Sequence, residues 1–308
     1  MPNDWSASGK GPPLPEIDTA IAALPPLRDV IARHQLGARK ALGQHFLLDL
    51  NLTARVVRAT GPLEGATVIE VGPGPGGLTR AILTAGAGRV IALEKDPRCR
   101  EALDPLVAAA KGRLAVIDAD ALEADAAALA RAQGIEPTGL RIIGNLPYNI
   151  STALLIKWLR EIADAPALYH SLVLTVQKEV AERFFASPRT KAYGRLSIMC
   201  QWLTEVAPCF DIGARAFTPP PKVTSTVVRL VPRPAPLSPA RWKDMETVTR
   251  AAFGQRRKML RSSLRQIAGP DGEVALLERA GIDPRSRAEE LDVAQFCALA
   301  RVFGGTET

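Results

Sequence analysis

The segment Asn145-Leu146-Pro147-Tyr148 carries groups that could hold a flat ring by an exocyclic amine. The side-chain oxygen of Asn145 and a neighbouring backbone carbonyl can accept both hydrogens of an amino group. Pro147 stiffens the segment because its ring fixes φ, and Tyr148 offers a face on which a base can stack. These residue types in this order predict a site that grips an amino-substituted base.

A second candidate site is the glycine-rich turn that starts at Gly72 and follows the apolar run Val68-Ile69-Glu70-Val71. Gly72, Gly74 and Gly77 satisfy the G-x-G-x-x-G spacing, and the acid Glu94 follows about 20 residues later, as in dinucleotide-binding folds. Taken alone, this pattern leaves both a dinucleotide and S-adenosylmethionine open as the cofactor.

Two features of the turn favour S-adenosylmethionine. Prolines stand between the glycines, so few N–H groups can face a phosphate, whereas a pyrophosphate needs such donors. S-adenosylmethionine has no phosphate and needs only a close, shaped wall, which glycine permits. Glu70, just before the turn, also suits a cationic cofactor because opposite charges attract.

Acids at the ends of the next two candidate strands could bind other parts of this cofactor. Glu94 can accept hydrogen bonds from both hydroxyls of a ribose, and the alternative for this residue is a surface acid. Asp118 and Asp120 follow the third candidate strand, where an acid can accept from an adenine amine.

Three residues ahead of the first strand, Gln44, His45 and Leu47, could close over the cofactor. A lone histidine such as His45 is otherwise a structural or surface residue.

These residues need a scaffold that brings several strand ends together. Apolar runs alternate with Ala- and Leu-rich helical patterns, such as 78–85 and 99–110, and this alternation predicts a parallel sheet covered on both faces. In such sheets ligands bind just beyond the carboxyl ends of the strands, where Asn145 stands. A β-branched run, 223–231, predicts a late strand entered from a proline turn. The other strand candidates are 68–71, 90–93, 114–117, 141–144 and 172–176.

Composition divides the chain into three parts. The first 26 residues are rich in Pro, Gly and Ser, which predicts a flexible tail. A second proline-rich stretch, Pro232 to Pro239, marks a domain boundary, and the remainder has helical patterns. We therefore expect a tail over 1–26, a cofactor-binding domain over 27–233 and a smaller helical domain over 234–308.

The overall charge and the cysteines narrow the class of protein. The net charge is +7 and the pI is about 9.5, which suits a polyanionic partner, although a merely basic soluble protein is the alternative. The four cysteines are scattered without a C-x-x-C pair, which argues against zinc and against a disulfide framework. No apolar run reaches membrane-spanning length and no secretory signal is evident. We expect a cytoplasmic protein that needs neither a metal nor a membrane.

Basic residues near the C-terminus could contact phosphates. On a helix, four arginines fall near one side and an apolar stripe forms a separate, core-facing side. Arginine suits phosphate geometry, although a solvated face is the usual alternative, and phosphate contacts would make binding salt-dependent. The arginines are Arg250, Arg257, Arg261 and Arg265, the stripe is Phe253, Leu260, Leu264 and Ile267, and further basic candidates are Arg39, Lys40, Lys191 and Arg195.

Seven segments in a fixed order resemble the ribosomal RNA adenine-N6 dimethyltransferase family. The resemblance covers 36–303, and its late segments are most similar to the small-subunit branch rather than the antibiotic-resistance branch acting on large-subunit RNA. His45 stands where the family commonly has Asn, and the N-terminal tail is unusually long. The segments are G-Q-H-F-L (43–47), E-V-G-P-G-P-G-G-L-T (70–79), G-N-L-P-Y-N-I-S-T (144–152), Q-K-E-V (177–180), K-A-Y-G-R-L-S (191–197), F-T-P-P-P-K-V-T-S (217–225) and F-G-Q-R-R-K (253–258).

This resemblance implies a Rossmann-like α/β methyltransferase fold, with a mostly parallel seven-stranded sheet, an antiparallel last strand and a C-terminal helical domain that binds RNA. It implies dimethylation of the N6 amino groups of two adjacent adenosines in a loop near the 3′ end of 16S small-subunit rRNA, coupled to small-subunit biogenesis. The implied partner is this rRNA or the immature 30S subunit, and we expect a monomer. Asp120 is favoured over Asp118, and the residues implied to line the S-adenosylmethionine pocket are His45, Leu47, Gly72, Glu94, Asp120 and Asn145.

For catalysis we expect Asn145 and the Leu146 carbonyl to accept the N6 hydrogens, which favours the pyramidal nitrogen needed to attack a sulfonium methyl. Tyr148 would stack on the adenine, and Phe217 would cover the other face or serve as a core aromatic. No general base is obvious, and none is needed if positioning and electrostatics dominate. Two other interpretations remain open: an RNA-binding assembly factor with little catalysis, and a nucleotide-dependent oxidoreductase.

Overall fold

The computed structural model describes residues 19–37, 44–255, 257–268 and 272–305. Within these ranges nine strands form two sheets. The strands are β1 (Phe46–Leu47), β2 (Thr67–Val71), β3 (Arg89–Leu93), β4 (Leu114–Ile117), β5 (Leu140–Asn145), β6 (Tyr169–Gln177), β7 (Thr204–Ile212), β8 (Phe217–Thr218) and β9 (Ser225–Pro232).

The larger sheet has seven strands in the order β4-β3-β2-β5-β6-β9-β7. Neighbouring strands from β4 to β6 are parallel, whereas β9 runs antiparallel to both β6 and β7. This confirms the predicted fold class, including the antiparallel last strand. After β4, at one edge, the chain returns to β5 beside β2, and this switch in direction leaves a crevice at the carboxyl ends of β2 and β5.

Helices connect the strands and complete the C-terminal region. None of the helices in the described ranges has both the length and the apolar character that a membrane span requires. The α-helices are α1 (Thr19–Ala22), α2 (Leu27–Arg33), α3 (Leu50–Arg58), α4 (Gly77–Thr84), α5 (Pro97–Ala109), α6 (Ala126–Ala132), α7 (Ser151–Asp164), α8 (Lys178–Phe185), α9 (Arg195–Leu203), α10 (Trp242–Gly254), α11 (Leu260–Ser263), α12 (Gly272–Arg279) and α13 (Val293–Phe303).

Alternate side chains of the central strands enter two apolar clusters, one on each face of the sheet. Ile143 and Val173 belong to the cluster that also contains residues of α3 and α4, whereas Ile142 and Leu172 belong to the cluster that contains residues of α7. All four side chains are at most 1 % exposed. Both faces of the sheet are therefore covered, as is usual for parallel strands.

The C-terminal helices extend the α7 cluster instead of forming a separate core. Met245 and Val248 of α10 and Phe296 of α13 are fully buried and belong to that cluster. Across the proline-rich link, the Leu237 N–H donates to the Trp202 carbonyl at 2.8 Å. The expected boundary near residue 233 thus separates sheet from helices, while the buried cluster continues across it.

Strand β7 is absent from the predicted strands because of its proline. Pro208 lies in its interior, and a proline there argues against a central strand. In the structure β7 is an edge strand, and its pairing with β9 shifts between Pro208 and Phe210. A bulge on an edge strand tolerates a missing N–H. Because β7 covers the edge of β9, β9 is an interior strand, which explains the β-branched run in the sequence of β9.

The structure also shortens the expected N-terminal tail. Residues 1–18 lie outside the described residues, but α1 begins at Thr19, and Ile21 is 4 % exposed within the α3 and α4 cluster. The local abundance of proline and glycine concealed this short apolar contact.

A two-stranded antiparallel sheet joins the chain ahead of β2 to the chain ahead of β9. Phe46 of β1 lies opposite Thr218 of β8, and Leu47 lies opposite Phe217. This pairing positions the G-Q-H-F-L segment, where its described residues begin at Gln44, at the carboxyl edge of the larger sheet.

Candidate active site

A cavity of about 310 Å³ lies at the carboxyl ends of β2, β3 and β5. Val71, Leu93 and Asn145, the last residues of these strands, all line it. Its volume falls within the range of roughly 300–1,000 Å³ typical of ligand sites. The remaining lining residues are 44–46, 72, 74, 94–96, 119–121 and 146–150.

The glycine turn forms a close wall with few free donors. The N–H groups of Gly72, Gly74 and Gly76 all donate to acceptors inside the protein at 3.0–3.1 Å, and the prolines between them have no N–H. A pyrophosphate would find little to bind here, which disfavours the dinucleotide alternative.

Gly74 allows the turn to approach an aromatic ring. Its φ is +54°, in the left-handed region, and a Cβ at this position would lie 2.8 Å from Cε1 of Phe46. Since Phe46 and Gly74 both line the cavity, the missing side chain lets the turn and the ring form one continuous wall of the cavity.

Backbone donors hold the carboxylate of Glu94. Oε2 accepts from the Gly74 N–H at 3.1 Å, and Oε1 accepts from the Asp96 N–H at 2.8 Å. Glu94 is 5 % exposed, and burial raises its pKa while these two hydrogen bonds act in the opposite direction. Each oxygen can accept a second hydrogen bond from a ligand hydroxyl. The surface-acid alternative for Glu94 is therefore wrong.

Of the two acids after β4, Asp120 lines the cavity and Asp118 does not. Lys95 Nζ donates to Oδ2 of Asp120 at 2.8 Å and the Leu122 N–H donates to Oδ1 at 2.9 Å, and both contacts lower the pKa of Asp120. The Asp118 side chain is 67 % exposed and is ion-paired with Arg100. The geometry thus favours Asp120 as the acceptor at this strand end.

Glu70 lies on the face of β2 covered by α3 and α4 and does not line the cavity. It is fully buried, with the Thr79 hydroxyl beside its carboxyl group. Burial raises the pKa of Glu70 to about 8; the Thr79 hydroxyl acts in the opposite direction, and the nearby charge of Glu94 adds to the rise. A carboxyl group that is mostly neutral at pH 7 does not provide the negative charge that we predicted for a cationic cofactor.

The segment ahead of β1 orients the side chain of Asn145. His45 Nδ1–H donates to the Pro219 carbonyl at 2.8 Å, and Asn145 Nδ2 donates to the His45 carbonyl at 2.6 Å. This second contact assigns the amide orientation, which leaves Oδ1 as the acceptor. Across the described residues no hydrogen bond uses Oδ1 of Asn145 or the carbonyl of Leu146.

The loop after Asn145 is fixed to the sheet at one end and to α7 at the other. The Leu146 N–H donates to the Thr175 carbonyl of β6 at 3.2 Å, and the Leu146 residue is 2 % exposed. The Pro147 carbonyl accepts from the N–H groups of Ile150 and Ser151 at 3.2 and 3.1 Å, which starts α7. The backbone that flanks the cavity is thus restrained on both sides.

Tyr148 forms an aromatic wall of the cavity. Its ring centroid lies 5.3 Å from that of His45, with the planes tilted by 31°. Its hydroxyl lies 2.6 Å from Oγ of Ser225, and burial raises the pKa of Tyr148. The two aromatic residues thus stand on the same side of the site as the acceptor Asn145.

Two residues that we expected in the site, Leu47 from the resemblance and Phe217 as a cover for the base, lie outside the cavity lining. They are 5 % and 2 % exposed and belong to the α3 and α4 cluster. The β1–β8 pairing directs both side chains into the core. Phe217 is therefore a core aromatic here, which was the alternative for this residue, and does not offer a face to a base in this arrangement.

The C-terminal arginines do not share one helix, contrary to the periodicity argument. Helix α10 ends at Gly254, a residue that disfavours helix continuation, and α11 is short, spanning Leu260–Ser263. The apolar stripe does pack as core: Leu260 and Leu264 are fully buried, and its other two members are partly buried against the same cluster. We call the exposed side chains Arg250, Arg257, Arg261 and Arg265 the C-terminal basic surface.

Several of the predicted phosphate ligands have acidic neighbours. Arg195 and Arg250 both contact Glu246, at 3.0 and 2.9 Å, and Arg265 contacts Glu273 at 3.6 Å. Arg195 is partly buried, and burial lowers its pKa. Lys191 is exposed, and Arg39 and Lys40 lie outside the described residues.

Sequence reasoning gave Ser225 no role, although it ends the F-T-P-P-P-K-V-T-S segment. The alternation of β9 indicates that Ser225 and Val227 share a face of the sheet. Ser225 and Tyr148 are 77 positions apart, and their contact depends on the packing of the loop after β5 against the start of β9, which no local pattern predicts.

The order of the seven-stranded sheet, with β9 antiparallel to its neighbours, and the crevice at the carboxyl ends of its strands are those of a Rossmann-like methyltransferase. A family model described as ribosomal RNA adenine dimethylase matches residues 35–304. The chain therefore belongs to the ribosomal RNA adenine dimethylase family.

Curated relatives and solved structures agree with this assignment. Ribosomal RNA small subunit methyltransferase A of Paramagnetospirillum magneticum is 58% identical over 283 residues, which is 92% of this chain and 96% of the relative. The protein of the same name from Rhodospirillum rubrum is 57% identical over 284 residues, covering 92% and 94% of the two chains. A dimethyladenosine transferase from Plasmodium falciparum superposes with a TM-score of 0.68 at 23% identity, over 85% of this chain and 98% of that one, and so shares the fold.

Proposed function

We propose that this enzyme uses S-adenosylmethionine to dimethylate N6 of two adjacent adenosines in a loop near the 3′ end of 16S small-subunit rRNA. The family description supports adenine dimethylation, and the name shared by the relatives supports a small-subunit rRNA substrate. The observation that carries the proposal is the side-chain amide of Asn145. It lines the cavity beside Tyr148 and is oriented by the His45 carbonyl so that its oxygen remains an acceptor.

Residues at three strand ends would hold the cofactor. Glu94 would accept from its ribose hydroxyls, Asp120 from its adenine amine, and the wall of Gly72, Gly74 and Phe46 would pack against it. S-adenosylmethionine, when bound, supplies a methyl group on a positively charged sulfur that a nitrogen nucleophile can accept.

The Asn145 loop would hold the target base. An adenine N6 is a poor nucleophile because its lone pair is delocalised into the ring. Acceptance of its two hydrogens by Asn145 Oδ1 and the Leu146 carbonyl would favour a pyramidal nitrogen. Stacking on Tyr148 would contribute about 1–3 kcal/mol. Positioning and electrostatics then account for the reaction without a side-chain base, and the proton leaves to water after transfer.

The substrate is proposed to be an immature small subunit in the cytoplasm, bound by a monomer. A base must leave its stack to enter the cavity, and this costs least in a loop. The net charge of +7 favours association with RNA, and the C-terminal basic surface would contact phosphates beside the target.

The proposal is tested with small subunits that lack methylation at this site. We would incubate them with the protein and tritiated S-adenosylmethionine, digest the RNA and separate the nucleosides by chromatography. Label is expected in N6,N6-dimethyladenosine. Asn145→Ala should lower incorporation by about a hundredfold or more while its thermal midpoint stays close to that of the wild type.

The same experiment separates the alternatives. Binding of the subunit without label would instead support an assembly factor with little catalysis. Label in another nucleoside would reject adenine as the target, and full activity of Asn145→Ala would reject the assigned acceptor.

A further inference from the structure

Ser225 is buried beside the active site and contacts it through one residue. It is the first residue of β9, where it pairs with Gln177 of β6 and Ile212 of β7, and it is 0 % exposed. Its Oγ lies 2.6 Å from the hydroxyl of Tyr148. Tyr148 lines the cavity and Ser225 does not, so any influence of Ser225 on a bound base passes through the tyrosine.

This contact restrains the position of the Tyr148 ring. Tyr148 belongs to the loop between β5 and α7, whereas Ser225 is held by strands on both sides. A phenol ring that is anchored at its hydroxyl cannot swing about the Cα–Cβ bond without breaking the 2.6 Å contact. The hydroxyl oxygen lies on the axis of the Cβ–Cγ bond, so rotation of the ring about that bond is limited instead by the His45 ring, whose centroid lies 5.3 Å away. The position of the stacking ring is therefore set before a base arrives, which reduces the ordering cost of binding.

We propose that Ser225 is a positioning residue for Tyr148, and that the second methyl transfer depends on it more than the first. The inference rests on the proposed function. Unmethylated adenine offers two N–H groups to Asn145 Oδ1 and the Leu146 carbonyl. N6-methyladenine offers one, because a methyl group has replaced the other hydrogen. Since a single N–H then holds the amine, the orientation of the singly methylated base depends more on stacking against Tyr148.

Both transfers have the same chemical balance. A C–N bond forms at N6 from the nitrogen lone pair, and the S–CH₃ bond of the sulfonium breaks with its electron pair retained on sulfur as a neutral thioether. One N6 proton then leaves to water. The two steps therefore differ in the number of hydrogens that can hold the base, and not in the chemistry.

The test is the product ratio of Ser225→Ala at saturating S-adenosylmethionine, with unmethylated small subunits as substrate. Single-turnover time courses would give separate rate constants for formation of N6-methyladenosine and N6,N6-dimethyladenosine. The second rate constant is expected to fall by about fivefold and the first by about twofold or less, as the loss of one hydrogen bond allows. Singly methylated nucleoside should therefore accumulate.

Two further variants separate positioning from a general structural effect. Tyr148→Phe removes the same hydrogen bond but keeps the ring, so it should accumulate the singly methylated product to the same extent. The double variant should accumulate no more singly methylated product than either single variant, because the two residues act through one contact.

Ser171→Ala is the matched control. Ser171 is equally buried in β6, and its hydroxyl has no hydrogen-bond partner in the described part of the chain, so the product ratio should remain that of the wild type.

A wild-type product ratio in both Ser225→Ala and Tyr148→Phe would overturn the inference alone. Equal slowing of both transfers together with a lower thermal midpoint would also overturn it, since that pattern indicates a purely structural role. If the wild-type protein itself methylates no adenosine, the proposed function fails, and this inference fails with it.

Discussion

The side-chain Nδ2 of Asn145 donates to the main-chain carbonyl of His45 at 2.6 Å, which links residues 100 positions apart. His45 is in turn bound to the Pro219 carbonyl through Nδ1–H at 2.8 Å. The acceptor oxygen of Asn145 is thus oriented by the fold before any substrate binds. A preorganised polar group needs no reorientation when charge changes at the reacting nitrogen. Catalysis should therefore depend on the amide donor as well as on the amide acceptor.

Asn145→Asp tests this dependence because it replaces the donor with a second oxygen. That oxygen would face the His45 carbonyl, and the resulting repulsion should turn the side chain away. We expect the rate of methyl transfer in single turnover to fall by about a hundredfold or more, with the thermal midpoint lowered by only a few degrees.

Asn51→Asp is the control for the added charge, since Asn51 is exposed at the start of α3 and outside the cavity lining. It should retain wild-type rates. If Asn145→Asp were equally active, the orientation of the amide would have no role in the reaction.

Glu94 offers a separate test of the cofactor site. In Glu94→Gln one carboxylate oxygen becomes an NH₂ group, which cannot accept from the Gly74 or Asp96 N–H or from a ribose hydroxyl. Loss of a charge-assisted hydrogen bond of about 1.5–3 kcal/mol should weaken the binding of S-adenosylmethionine at least roughly tenfold. Isothermal titration calorimetry measures this directly.

Glu101→Gln makes the same change at an exposed position of α5 and should leave cofactor affinity unaltered. An unchanged affinity in Glu94→Gln would show that the carboxylate does not bind the cofactor.

The strand-end residues were predictable because apolar runs define where strands stop. Residues just past parallel strands must meet at one edge of the sheet, so Glu94, Asn145 and an acid after β4 could be assigned to one site from local pattern. The choice of Asp120 over Asp118 needed the family resemblance. The same argument could not find β7, because Pro208 is acceptable only at an edge bulge, and edge position is a property of the assembled sheet.

Leu47 and Phe217 are residues whose burial in the core could not be predicted from the sequence. Their side chains enter the core because β1 and β8 pair, and this pairing consists of two residues on each strand with no local turn between them. Neither periodicity nor a family motif indicates which way such side chains point. The predicted helix through the C-terminal arginines was also wrong, since α10 ends at Gly254, a poor helix former, where the apolar period alone would continue.

Glu70 should make folding stability depend on pH. Burial raises its pKa from 4.5 to about 8, so between these values the folded protein holds a proton that the unfolded chain has released. The contribution of Glu70 to stability is therefore best below pH 4.5 and becomes less favourable as pH rises toward 8. Glu70→Gln keeps the neutral shape and abolishes this titration. Its free energy of unfolding, relative to wild type, should rise between pH 5.5 and pH 8.5 by a few kcal/mol, at most about 1.4 kcal/mol per pH unit.

Urea denaturation at both pH values measures this difference. Glu136→Gln, at an exposed position, is the control for the loss of one carboxylate. A pH-independent difference between Glu70→Gln and the wild type would mean that Glu70 is ionised throughout this range in the folded protein.

The C-terminal basic surface should be recognised by its salt dependence. Arg257→Gln combined with Arg261→Gln removes two exposed charges that lie outside the cavity lining. If both contact phosphates, the slope of log Kd for small-subunit RNA against log salt should decrease by about 0.7–0.9 for each arginine removed. Filter binding from low to moderate salt gives this slope, while cofactor affinity should stay at the wild-type value.

Arg131→Gln, which removes an exposed charge at the end of α6, controls for net charge alone. An equal slope in the double variant and the wild type would exclude these two arginines from the RNA interface. Counterion release requires contact with the phosphates, and a positive net charge on the protein does not produce it alone.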